Sequence, residues 1–122
     1  MENNCIFCNQ EEIILENELA WVRYDKYPVS PGHLLIITKR HVADFFDTTI
    51  KERRALNDLL EEAKKKLDQE YSPDGYNIGV NCNTAAGQTV MHLHIHLIPR
   101  YQGDIDNPRG GVRGVIPDKR IY

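Results

Sequence analysis

Apolar and polar positions change rhythm several times along the chain, and each rhythm predicts an element. Residues 11–25 alternate loosely, with Ile13, Ile14, Leu15, Leu19, Trp21, Val22 and Tyr24 as the apolar set, which predicts two short strands with a turn near Glu16-Asn17. Pro28 and Pro31-Gly32 mark a loop and a turn. Residues 33–39 (His-Leu-Leu-Ile-Ile-Thr-Lys) are a short apolar run rich in β-branched side chains, hence a strand. From Thr49 the period becomes helical: Leu56, Leu59, Leu60, Ala63 and Leu67 stack on one face, while Lys51, Arg54, Asp58, Glu61, Glu62 and Lys65 form an ordinary solvated face. Thr49-Ile50-Lys51-Glu52 has the spacing of a capping box, and Pro73 and Gly75 close the helix. Residues 76–82 alternate again, with Ile78, Val80 and Cys82 on one side; residues 83–89 are a small-residue loop; residues 90–98 predict the most regular strand of the chain. Internal repeats and low-complexity blocks are absent. The tail 102–122 holds four of the eight glycines and two of the six prolines, so no regular structure is expected there unless it docks.

Composition narrows the class. The 122 residues suit one domain, and 41% hydrophobic with 27% charged residues is ordinary for a globular core. No run of about 18 apolar residues exists, so no membrane span is expected. Met1-Glu2-Asn3-Asn4 lacks the basic and apolar regions of a secretory signal. Lys plus Arg is 15 against 18 for Asp plus Glu, net −3, which argues against a nucleic acid polymer held by bulk charge but leaves room for a small phosphorylated ligand. Three cysteines fit poorly with a disulfide framework and favour a cytoplasmic chain with reduced thiols. Cys82 is expected to be a small buried hydrophobe. Cys5 and Cys8 have zinc-knuckle spacing but need two further ligands; a redox C-x-x-C would want a βαβ context that the pattern lacks.

The concentrated chemistry lies at 91–97. Every odd position of Met91-His92-Leu93-His94-Ile95-His96-Leu97 is apolar and every even one is an imidazole. On a strand this puts three histidines on one face, roughly 7 Å apart. A solvated face would mix Lys, Thr, Glu and Ser instead. Three uses stay open for such a row. It could bind a metal, although strand neighbours converge poorly on one ion with bonds of about 2.0–2.1 Å. It could surround a phosphoryl group. Or a neutral imidazole could attack phosphorus and form a covalent intermediate while its neighbours hold the tautomer, donate to phosphate oxygens or protonate the leaving group. No G-x-x-x-x-G-K-[ST] pattern is present, so a Walker-type site is excluded.

His92-Leu93-His94-Ile95-His96-Leu97-Ile98 resembles the His-φ-His-φ-His-φ-φ signature of the histidine triad (HIT) family. Cys5-Ile6-Phe7-Cys8, the segment Pro-Gly-His-Leu-Leu-Ile at 31–36 and Ala-Gly-Gln-Thr-Val before the triad are also similar to that family, in the same order. The resemblance implies an α+β fold, with an antiparallel sheet of about five strands, one long helix and one short one. It implies a homodimer joined sheet edge to sheet edge, with the long helix contributing. It also implies a HIT domain over 1–101 followed by a glycine-rich basic tail over 102–122.

The implied activity is nucleotidyl hydrolysis at the α-phosphate of dinucleoside polyphosphates or nucleoside phosphoramidates, with an adenine nucleotide expected. His94 would be the nucleophile and His96 would stand near the phosphate. Gly87, Gln88 and Thr89 would line the phosphate side, Asn81 would stand beside the nucleophile, Asp25 would take the ribose hydroxyls and His33 would lie near the phosphates. Magnesium is not required. The same resemblance implies a structural zinc held by Cys5, Cys8, His41 and His92. The alternatives are a nucleotidyl transferase or phosphorylase, and a zinc-stabilised nucleotide-binding module with little turnover. Arg109 or Arg113 of the tail is a candidate contact for a distal phosphate, in its own or the partner subunit.

Overall fold

The computed structural model describes residues 5–122; residues 1–4, where no secretory signal is expected, lie outside them. Five strands form one antiparallel sheet: β1 (Leu15–Glu16), β2 (Ala20–Tyr24), β3 (Leu34–Thr38), β4 (Gly75–Val80) and β5 (His94–Arg100), in the spatial order β1-β2-β3-β5-β4. The turn between β1 and β2 is built by Asn17, whose side-chain oxygen accepts from the amides of Leu19 (3.1 Å) and Ala20 (2.9 Å). The long helix α1 (Ile50–Tyr71) starts where the pattern places it. The Thr49 hydroxyl accepts from the Glu52 amide at 3.1 Å, and Glu52 Oε1 accepts from the Thr49 amide at 2.9 Å. Glu52 is buried and forked onto Arg40 at 2.8 and 2.9 Å, which holds its carboxyl down to about 2. The short helical element is a 3₁₀ turn at Phe45–Asp47.

The sheet has two different faces. Leu56, Leu59, Ala63 and Leu67 of α1 pack on Ala20, Val22, Leu34, Ile36, Ile95 and Leu97 and close the core on one side. Each fully buried leucine there contributes about 1.5–3 kcal/mol. On the other side Trp21, Leu35 and Ile37 are covered by Phe7, carried by the amino-terminal segment. The turn before β3 is held against α1 by Gly32: at φ +90° it occupies the left-handed region, and a Cβ there would meet Leu67, Tyr71 and Pro99 at 3.1–3.3 Å. Pro99 lies in β5 beyond the last residue paired with β3, so its missing N–H breaks no ladder on that side.

The structure departs from the sequence pattern at three places. The strand expected over 90–98 begins only at His94, because Leu93 donates its amide to Val42 (2.7 Å) and the His92 ring, in place of backbone, bonds the Thr38 carbonyl where β3 ends. Cys82 is half-buried, just past the end of β4, and not enclosed. The tail is not irregular: it makes two 3₁₀ segments, Gly111–Val115 and Pro117–Lys119, pinned by Arg120, which donates to the carbonyls of Asn107 (2.6 Å) and Arg109 (2.8 Å).

Candidate active site and metal centre

Strand β5 places His94 and His96 on the face away from α1, opposite Ile37 and Leu35 of β3. There they line a cleft of about 430 Å³, walled also by Ile6, Phe7, Arg23, Asp25, Leu35, Asn81, Gly87, Thr89 and Val90. That volume suits a small-molecule ligand. The ring of His94 packs on Phe7 with centroids 4.9 Å apart. Its Nδ1 lies 2.8 Å from the His92 carbonyl oxygen. A carbonyl only accepts, so Nδ1 carries the proton and Nε2 keeps its lone pair. That lone pair is what a nucleophile needs.

The proton pattern of His96 is fixed through two steps. The Val29 amide donates to His33 Nδ1 at 3.1 Å. His33 must then carry its proton on Nε2, which lies 2.9 Å from His96 Nδ1 and donates to it. His96 is left with its proton on Nε2. Burial is the largest cause, with the charges of His94 and His33 behind it, that lowers His96 to about 4 against a weaker upward pull from Asp25. Burial also lowers His33, opposed by Asp25. Both rings are neutral at pH 7, and His96 is a neutral donor.

Asp25, His33 and His96 come close enough to suggest a cation site. The Val29 amide argues against it: with Nδ1 accepting, His33 Nε2 has no lone pair for an ion.

A second cluster lies beside the cleft. The sulfurs of Cys5 and Cys8 and the Nδ1 atoms of His41 and His92 all fall within 4.8 Å of one another. Individual separations are 3.3 Å (Cys5 to His92), 3.1 Å (Cys8 to His41), 3.5 Å (Cys8 to His92) and 3.2 Å (His41 to His92). Tetrahedral zinc with ordinary sulfur and nitrogen bonds spaces its ligands by roughly 3.3–3.8 Å. His92 is fully buried and gives its Nε2–H to the Thr38 carbonyl at 2.7 Å, so Nδ1 turns its lone pair to the cluster. The donor set therefore fits zinc.

The remaining sequence candidates divide. Asp25, Asn81, Gly87 and Thr89 line the cleft. His33 is buried behind His96. Gln88 turns away from the cleft: its oxygen accepts from the Asn83 amide (2.7 Å), and its nitrogen donates to the carbonyls of Ala43 (2.8 Å) and Val90 (3.1 Å). The Gly87 amide donates to the Thr84 carbonyl at 2.9 Å, so it is not free for an anion. Arg109 and Arg113 do not reach the cleft; both guanidiniums lie over the Tyr122 ring, at 4.9 and 4.8 Å. Residues that the motifs did not single out are Phe7 and Ile6, hidden as the middle of Cys-x-x-Cys, and Arg23, a charged residue at a strand position whose side chain is buried. An arginine among the apolar positions of β2 was the available signal.

Comparison with known proteins agrees with this architecture. Residues 8–103 match the sequence profile of the HIT domain. An uncharacterized 16.1 kDa HIT-like protein of Mycoplasma pneumoniae is 39% identical over 106 residues, 82% of this chain and 74% of its own length. The bis(5'-adenosyl)-triphosphatase of Dictyostelium discoideum is 35% identical over 80% of this chain and 66% of its own. The AP-4-A phosphorylase of Mycobacterium tuberculosis is 32% identical over 75% of this chain, which spans 48% of it. Among solved structures, a HIT family protein from Bacillus anthracis superposes with TM-score 0.78 at 33% identity, covering 84% of this chain and 77% of that one. A zinc-bound histidine triad family protein from Mycobacterium smegmatis gives 0.77 at 31%, covering 85% and 80%.

Proposed function

The chain belongs to the HIT domain family, and from that premise we propose that it is a nucleotidyl hydrolase that cleaves dinucleoside polyphosphates or nucleoside phosphoramidates at the α-phosphate. The observation that carries this reading is the His94 ring in a cleft wall, anchored at Nδ1 on the His92 carbonyl, which fixes the tautomer whose Nε2 carries the lone pair. Nε2 attacks the α-phosphorus and forms a P–N bond. The bond to the leaving oxygen or nitrogen breaks, and that group departs with the electron pair, a leaving nitrogen taking up a proton from solvent. Water then attacks phosphorus and gives up a proton to solvent, the P–N bond breaks and its electron pair returns to His94 Nε2.

His96 Nε2–H donates to a phosphate oxygen without bringing a charge. The Thr89 amide and hydroxyl make no hydrogen bond among the described residues and serve the same phosphate. Asp25 keeps acceptor capacity beside the Tyr27 amide for the ribose hydroxyls.

Cys5, Cys8, His41 and His92 hold a structural zinc, a closed site that leaves no coordination position for substrate. Thiolate ligands of this kind suit the reducing cytoplasm. Among the described residues no helix is long and apolar enough to cross a membrane. Strand β4 lies at an edge of the sheet, and its exposed Ile78 supports a homodimer joined along that strand.

Rapid quench with a labelled dinucleoside tetraphosphate and a phosphoramidate tests the chemistry. Wild type should yield a nucleotidyl-protein adduct, and His94→Ala should bind nucleotide while losing on the order of 10⁴-fold or more in turnover. A His94→Ala protein with undiminished turnover would sink the mechanism. The AP-4-A phosphorylase among the relatives keeps one second reading open, transfer to inorganic phosphate. Products formed with and without added phosphate separate the two.

A further inference from the structure

Arg23 is a buried cation that the chemistry above does not use. Its Nε donates to the Tyr24 carbonyl (3.1 Å) and its Nη2 to Glu12 (3.0 Å). Nη1 has no partner among the described residues, and the side chain lines the cleft. Register fixes where in the cleft it stands. Arg23 faces Leu35 on β3, and Leu35 faces His96 on β5. Two strand spacings, roughly 10 Å, therefore separate Arg23 from the phosphate end. Asp25, two residues further along and so on the same side of the chain, lies 3.9 Å from His96. Leu35 lies between the two in register, and Ile6 and Phe7 add further apolar lining to the cleft. Phosphate, ribose and base thus have successive places, and Arg23 stands at the third.

We propose that Arg23 makes this cleft selective for nucleotides whose base presents an acceptor edge, a 6-oxopurine such as guanine or hypoxanthine, over adenine. The inference rests on the nucleotide reading of the cleft and refines its substrate class. Guanidinium is donor-only and stays charged at any working pH. The 6-oxo group and N7 of guanine both accept, a pair suited to arginine, whereas adenine places a donor amine beside N7. Glu12 and the Tyr24 carbonyl hold the other two nitrogens, so the free one arrives already oriented. An arginine left facing an amine would be desolvated without a partner.

Titration calorimetry on the zinc-loaded full chain decides the matter with IMP, GMP and AMP, since IMP differs from AMP essentially at position 6. IMP and GMP should bind about tenfold or more tighter than AMP. Arg23→Met should abolish that ratio, bringing IMP and GMP to within about threefold of AMP. Equal or tighter AMP binding by wild type, which needs no variant to fold, overturns the proposal. So does an unchanged ratio in Arg23→Met, or a loss that grows with phosphate number and ignores the base. Hydrolysis of dinucleoside polyphosphates that favours adenine overturns the base assignment alone; no binding of any of the three nucleotides overturns both it and the nucleotide reading.

Discussion

A single main-chain hydrogen at Val29 sets the polarity of two imidazoles, and a single carbonyl at His92 sets that of a third. The triad itself is legible as a period of two in the sequence. The tautomers are not, because the carbonyl that orients His94 is available only where the chain has left the sheet. The depressed His96 has a measurable consequence. Its folded value is about 4 against an ordinary 6.5, so the fold binds fewer protons than the unfolded chain between those limits. The stability this ring contributes is complete above pH 6.5 and is lost as pH falls toward 4, with a slope of up to about one proton. Urea unfolding across that range should show the slope in wild type and a shallower one in His96→Asn. Equal slopes in the two proteins would contradict the assignment.

Among the elements, the turn at Pro31-Gly32 and the Cys5–Cys8 segment do the most to position the site. Gly32 precedes His33 directly, and its left-handed backbone lies in contact distance of α1 and Pro99. Gly32→Ala should cost about 2 kcal/mol or more, combining backbone strain with displacement of Leu67 and Tyr71. Chemical denaturation gives that number directly, and a change below about 0.5 kcal/mol would mean that the contact yields freely. Replacing Cys5 and Cys8 with Ser should remove a metal present at about one per chain and lower Tm by at least about 5 °C. Elemental analysis and a thermal melt check both, and an unchanged metal content would refute the ligand set. Helix α1 was legible from its cap and leucine spacing because both are local. The start of β5 was not, because it depends on where β3, far away in sequence, runs out of partners.

For the whole molecule, the sheet assigns stability to one face and chemistry to the other. The α1 face could be expected from pattern alone. The cover on the opposite face could not: Cys-x-x-Cys announces two ligands, but that its inner residues wall the cleft follows only from the chain's path across the sheet. The tail's order likewise depends on contacts that no periodicity encodes. A Cβ on Gly110 would collide with the Arg120 carbonyl, so Gly110→Ala should release the last turn and speed tryptic cleavage at Arg113 and Lys119. Cleavage at the wild-type rate would show the tail to be held some other way. The two residues between Cys5 and Cys8 both touch the cleft. The proposed zinc and nucleotide sites therefore share one short loop, and linkage makes any coupling between them reciprocal: the factor by which one ligand changes the other's affinity holds in both directions. Metal retained against a chelator, measured with and without nucleotide, reads that factor.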